Sequence, residues 1–169
     1  MIHPPRTRDL IRRLAPTLFT VAVVGYFVGM PYFGFAHWLL VPIVAVWAVH
    51  SAWRAWRRPA ERRYRVAQML VGSLALCCTL GLHAWRATAS RQAADEFVAA
   101  VEAYRAAHGT WPAQQDEVGS DSLRRSFHRW RGAYHVRDGA PDLFYFSTWE
   151  PFSAHHYDFA ARRWRYFAG

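Results

Sequence analysis

Four histidines and a carboxylate carry the side chains best suited to chemistry: His128, His135, His155, His156 and Asp158. Imidazole nitrogens with a carboxylate oxygen form a donor set that zinc accepts. The spacing argues against such a site. His155 and His156 are adjacent, and neighbours on a strand point to opposite faces, so at most one joins any one site. With Asp158 they read as part of a surface loop. Ser126, Ser147 and Ser153 have histidines to hand, but no Gly-x-Ser-x-Gly setting presents them as nucleophiles. The carboxylates show no paired arrangement for acid–base work. The expectation is a protein with no catalytic residue, no cofactor and no metal. Three further histidines, His37, His50 and His83, fall in apolar stretches. Ionisable residues inside a membrane mark proton or ion paths. These three lie near the ends of their stretches, where the ring suits the interface. No Asp or Glu shares a stretch with them, which argues against a pump or transporter.

The elements that must carry these residues follow from charge and hydropathy. Leu14 to Trp53 is forty residues without Asp, Glu, Arg or Lys, and Val66 to Trp85 is another twenty. About 20 apolar residues cross a ~30 Å hydrocarbon core as a helix. The first run holds two spans, Ala15 to Met30 and Phe35 to Trp53, broken at Gly29-Met30-Pro31-Tyr32-Phe33-Gly34. The third span continues past Trp85 into an amphipathic half, where Ala94, Phe97, Val98, Val101 and Tyr104 recur at helical spacing. The plan is a basic leader over 1–14, a hairpin of two spans over 15–53, an Arg-rich loop over 54–65, a third span over 66–86 and a C-terminal domain over 87–169.

All 21 basic residues are Arg, and the formal charge is +9. Ten arginines sit in the leader and in the loop, against Asp9 and Glu61; from Arg86 onward eleven arginines nearly balance ten acids. An excess confined to segments flanking spans is the positive-inside pattern and not a nucleic-acid footprint. It predicts a bacterial inner-membrane protein with a cytoplasmic N-terminus and a periplasmic C-terminal domain. The leader is not a cleaved signal peptide, because the apolar stretch after it is too long. Cys77 and Cys78 are adjacent within the third span and match no zinc spacing.

The C-terminal domain reads as α+β. A helix to about His108 supplies an apolar stripe. A helical turn at Asp121 to Arg125 is capped by Ser120 or Asp121. Strands are expected at Tyr134 to Arg137, Leu143 to Trp149, Tyr157 to Ala160 and Trp164 to Phe167. A turn at Asp138 to Asp142 joins the first two, and Glu150 to His155 is a loop. Leu143, Tyr145, Phe159, Trp164 and Tyr166 are the residues expected against the helix. The aromatic surplus suggests an exposed binding face, for which Tyr134, Phe144, Phe146, Trp149 and Phe152 are the candidates.

The segment FVAAVEAYRAAHGTWP resembles type IV pilins and type II secretion pseudopilins. The matching residues are Phe97, Val101, Tyr104, Arg105, Gly109, Trp111 and Pro112. The later YDFAARRWRYF is similar to the final strands of such domains, and the resemblance covers about Val66 to Phe167. It implies a long helix packed on a three- to four-stranded antiparallel sheet. The pilin processing site is missing: RPAERRYR precedes the span, and no acid lies between Val66 and Trp85. Two further spans come first. The implied protein is pilin-like but permanently anchored, neither processed nor built into a filament.

The function expected is non-enzymatic display of a protein-binding domain, as an accessory of a type IV pilus or type II secretion assembly. The alternative is a membrane-embedded immunity protein that neutralises an antibacterial toxin. A third reading is a small membrane enzyme or channel subunit, which His37, His50 and His83 would have to serve. The partners are membrane lipid and another protein, not nucleic acid.

Overall fold

A computed structural model describes residues 7–137 and 139–168. The first six of the fourteen leader residues, through Arg6, and Asp138 of the expected turn lie outside them. The chain divides into two compact units, one ending at His83 and one beginning at Ala84.

The first unit holds α1 (Thr7–Val28), α2 (Ala36–Arg57), a 3-10 turn (Pro59–Glu61) and the first part of α3 (Arg62–His108). Three helical stretches, within Ile11–Val28, Ala36–Arg57 and Pro59–His108, are long and apolar enough to cross a membrane. Most of the segment expected as an Arg-rich loop is helical, because α2 runs on to Arg57 and α3 begins at Arg62. Arg54 and Arg57 fall in the last turn of α2, where cations complement the exposed carbonyls. Polar side chains tie the helices together. Gln68 Nε2 donates to Thr17 Oγ1 at 2.8 Å and to the Tyr64 hydroxyl at 2.9 Å, and that hydroxyl donates to the Arg13 carbonyl at 3.2 Å. Gly72 lets α3 lie against Trp47 of α2; a Cβ there would stand 3.1 Å from the indole.

The second unit holds the rest of α3, a 3-10 turn (Gln115–Glu117), α4 (Asp121–Arg129) and the strands β1 (Gly132–Arg137), β2 (Ala140–Phe146), β3 (Ala154–Asp158) and β4 (Arg163–Phe167). The strands form one antiparallel sheet in the order β1-β2-β3-β4. The expected single turn at Asp121 is a nine-residue helix, and Ser120, not Asp121, is its cap: Ser120 Oγ accepts the Leu123 N–H. Phe127 continues α4 because it stacks on Phe97 of α3, with ring centroids 4.3 Å apart. The core is Ala94, Phe97, Val98 and Val101 of α3 with Val118, Phe127, Tyr134, Leu143 and Tyr145.

Six strand boundaries differ from the sequence reading, and three of them bear on the site. β2 begins at Ala140, so Ala140-Pro141-Asp142 pair with β1 instead of turning. It stops at Phe146, and Ser147 to Ser153 form the loop. β3 starts at Ala154, which puts His155 and His156 in the sheet and not in the loop.

Candidate functional site

Register decides which side chains share a face. Tyr134, Leu143, Tyr157 and Trp164 stand opposite one another across the four strands, as do Gly132, Tyr145, His155 and Tyr166. These two rows make the inner face, which packs on α3 and α4. The alternate rows make the outer face: Ala133, Phe144, His156 and Arg165 in one; Phe146, Ala154 and Phe167 in the next; His135 and Asp142, with Asp158 and Arg163, beside them.

On the outer face His156 is the centre of an aromatic strip. It stacks on Phe144 at 5.0 Å and meets the Phe167 ring edge-on at 4.9 Å. Phe146 lies edge-on to Phe144 at 5.8 Å, and His135 lies at 6.1 Å. Nδ1 of His156 is 3.2 Å from Asp142 Oδ1, which orients the imidazole. One border of the strip is charged. Asp158 accepts the Ala160 and Ala161 N–H groups and pairs with the Arg165 guanidinium. The Ala161 N–H, together with the Arg165 charge, holds its carboxyl below the usual carboxylate range. Phe144, Phe146 and His156 are half-buried by one another, while Phe167 is 52% exposed. An apolar strip beside a charged border is the composition of a protein–protein contact surface.

The candidate binding residues are therefore divided. Phe144 and Phe146 are on this face. Phe152, 79% exposed, stands on the β2–β3 loop, and Trp149 is half-buried in the same loop. Tyr134 does not belong with them. It is buried on the inner face, where its hydroxyl donates to the Pro112 carbonyl at 2.9 Å. Burial, with the Glu117 charge, pushes that hydroxyl up to about 12. Tyr166, expected against the helix, is half exposed and hydrogen-bonds Glu150 instead. His156 and Phe167 were not among the candidates. The two-residue alternation within β3 and β4 carries their signal once the strand ends are known.

The histidines and Asp158 do not converge. His155 is on the inner face, stacked on Tyr145 at 4.9 Å, while His156 points the other way. Burial, and secondarily Arg91, push the His155 imidazole down. Among the described residues no group of three or more His, Cys, Asp or Glu is placed to hold a metal ion. The loop serines fix the loop. Ser147 Oγ accepts the Trp149 N–H at 3.2 Å, and Ser153 Oγ donates to Glu150 Oε2 at 2.7 Å. The Ser153 and Tyr166 hydroxyls in turn hold the Glu150 carboxyl below its usual range.

The seven residues of the helix-to-turn motif meet as packing. Phe97 and Val101 are fully buried. Tyr104 stacks on His108 at 4.1 Å, and the Arg105 guanidinium lies 4.0 Å over the Trp111 ring. Gly109 takes φ +73, the left-handed conformation that ends a helix. Trp111 then meets Phe159 edge-on, and Pro112 is buried as the acceptor for Tyr134.

The first unit holds a second cluster. His37 and His83 are buried, 3% and 0% exposed, with their rings edge-on at 5.3 Å. His37 bonds the Gly34 carbonyl and Thr79 Oγ1, both at 3.0 Å, and His83 bonds the Val28 carbonyl at 2.7 Å. These two tie helices together, and His50 is exposed. No protein family, curated protein or solved structure matches the chain.

Proposed function

We propose that this protein is a non-enzymatic, membrane-anchored binding module, with the outer face of the sheet as its contact surface. The observation that carries the reading is the strip Phe144–His156–Phe167, backed by a folded unit but not covered by it. In this reading α1, α2 and the first part of α3 span the inner membrane. The arginine-bearing ends face the cytoplasm, since ten Arg there oppose two acids, and the α+β unit lies in the periplasm. The helix-on-meander arrangement is the one a pilin-like module would have; the accessory role in a type IV pilus or type II secretion assembly rests on the sequence resemblance alone.

A second reading, a membrane-embedded immunity protein, is favoured by one observation. α3 begins at Arg62, directly after the Pro59–Glu61 turn, and RPAERRYR across this junction holds no pilin processing site. Binding alone suffices for neutralisation. Crosslinking in native membranes followed by mass spectrometry separates the two. Pilus or secretion subunits support the first, and a secreted toxin supports the second. In either case Phe144→Ala with Phe167→Ala is expected to abolish the crosslink while the chain stays folded. An undiminished crosslink in that variant would sink the outer-face assignment.

A further inference from the structure

Helices α1, α2 and α3 line a partly open cavity of about 540 Å³, within the range of ligand sites. Along α1 its wall runs from Pro16 to Val28, twelve steps or about 18 Å of helix. One leaflet of a ~30 Å hydrocarbon core is about 15 Å deep. The wall between the ends is mostly carbon, with Val21, Val24, Ile43, Val44, Ala75 and Leu76 beside Thr20 and Trp47. Gly25 leaves it open, since a Cβ there would meet nothing within 4 Å. The threonine and glutamine side chains of the wall are engaged within the protein. Thr20 donates to the Pro16 carbonyl, Thr17 bonds Gln68, and Thr79 bonds His37 and its own helix. A wall that is mostly apolar favours a hydrocarbon chain over a polar ligand.

The two ends are unlike. At the Thr79 end the buried His37 and His83 lie beside the wall. At the other end stand Tyr64 and Gln68, next to Arg13, whose carbonyl Tyr64 contacts, and Arg65, 3.4 Å from Gln68. Arg12, Arg13, Arg62 and Arg63 are exposed beside them, and Glu61 and Asp9 are the only acids of these segments. We propose that the cavity holds one acyl chain of an anionic glycerophospholipid, with its headgroup on the arginines around Arg13. The proposal rests on the membrane-spanning reading above. The depth matches a single leaflet, and the charge selects the sign of the headgroup.

The test uses the full chain in phosphatidylcholine vesicles doped with phosphatidylglycerol bearing a photoreactive acyl chain, or with phosphatidylcholine bearing the same chain. Crosslinks are mapped by mass spectrometry. The phosphatidylglycerol probe is expected to mark Val24, Gly25, Ile43 and Ala75 several-fold over the phosphatidylcholine probe. Both probes mark the outward-facing Leu39, Val46, Leu70 and Leu74, which are exposed. Gly25→Leu, which has room for its side chain, should remove cavity marking and leave outward marking intact. Arg12→Gln with Arg13→Gln leaves the wall untouched and should cut the phosphatidylglycerol preference about fivefold for each arginine that binds the headgroup. Outward marking with an unmarked cavity, or equal cavity marking by both probes, overturns this proposal and leaves the membrane reading standing. Outward residues that stay unmarked overturn both.

Discussion

At the scale of single residues, the second unit depends on two contacts that a small change would break. Gly132 opens β1 directly against Phe127; a Cβ there would stand 2.2 Å from the ring. The ring cannot retreat, because its other face is stacked on Phe97. Gly132→Ala is expected to destabilise this unit by about 1–3 kcal/mol, as overpacked cores do. A urea titration of the detergent-solubilised chain, read by amide exchange in β1 and β2, measures it. Tyr134 is the second case. Tyr134→Phe leaves the buried Pro112 carbonyl without its donor, at a cost of about 1–3 kcal/mol. The tyrosine also has a pH signature. Its folded value, about 12, lies above the ordinary 10.0, so only the unfolded chain releases this proton between them. The stability it contributes is whole below pH 10 and falls as pH rises towards 12, a loss that Tyr134→Phe should remove. A wild-type chain whose alkaline stability profile equals that of the variant would refute the assignment.

At the scale of elements, β3 shows how alternation divides labour. His155 sits among inner-face aromatics and His156 among outer-face ones. The lowered His155 value means that the folded chain refuses a proton that the unfolded chain accepts below its ordinary 6.5. Stability is therefore complete above pH 6.5 and declines as pH falls below it. Asp158, also lowered, adds a second loss as pH falls below 3.8 towards its folded value. Hydrogen exchange of β3 in the full chain should rise in these two windows, and His155→Phe should remove the first alone. His156→Ala should leave exchange nearly unchanged and weaken only partner binding. The helices were legible because uncharged runs and a 3.6-residue period persist for twenty residues or more. α3 reads as continuous because no proline interrupts it. The strands were less legible, since Ser153-Ala154-His155 carries no apolar alternation to mark where β3 begins. Tyr134 lies on the inner face and not the exposed one that composition suggests, because composition counts aromatics, whereas register against β2 decides where they point. The His37–His83 contact joins different helices, and no local pattern could have shown it.

At the scale of the whole molecule, the chain carries its own reporters of insertion and orientation. Cys77 and Cys78 are its two cysteines, and both are exposed on α3. If that surface faces hydrocarbon, their thiols have no water from which to form the thiolate that reacts. A charged maleimide should then leave intact vesicles unlabelled and label the chain only after denaturation. This blank background permits two single additions. Phe152→Cys replaces the most exposed aromatic of the second unit. Ala60→Cys lies in the exposed turn among the arginines. In spheroplasts, where the outer surface of the inner membrane is open, Phe152→Cys should label at once and Ala60→Cys only after the membrane is permeabilised. The arginine distribution demands this order, because segments dense in positive charge stay on the cytoplasmic side. The reverse order would move the binding face into the cytoplasm, and a periplasmic partner would go with it. Wild-type labelling without denaturation would instead show that the α3 surface bearing both thiols is wet, and the helices would then need a protein partner in place of lipid.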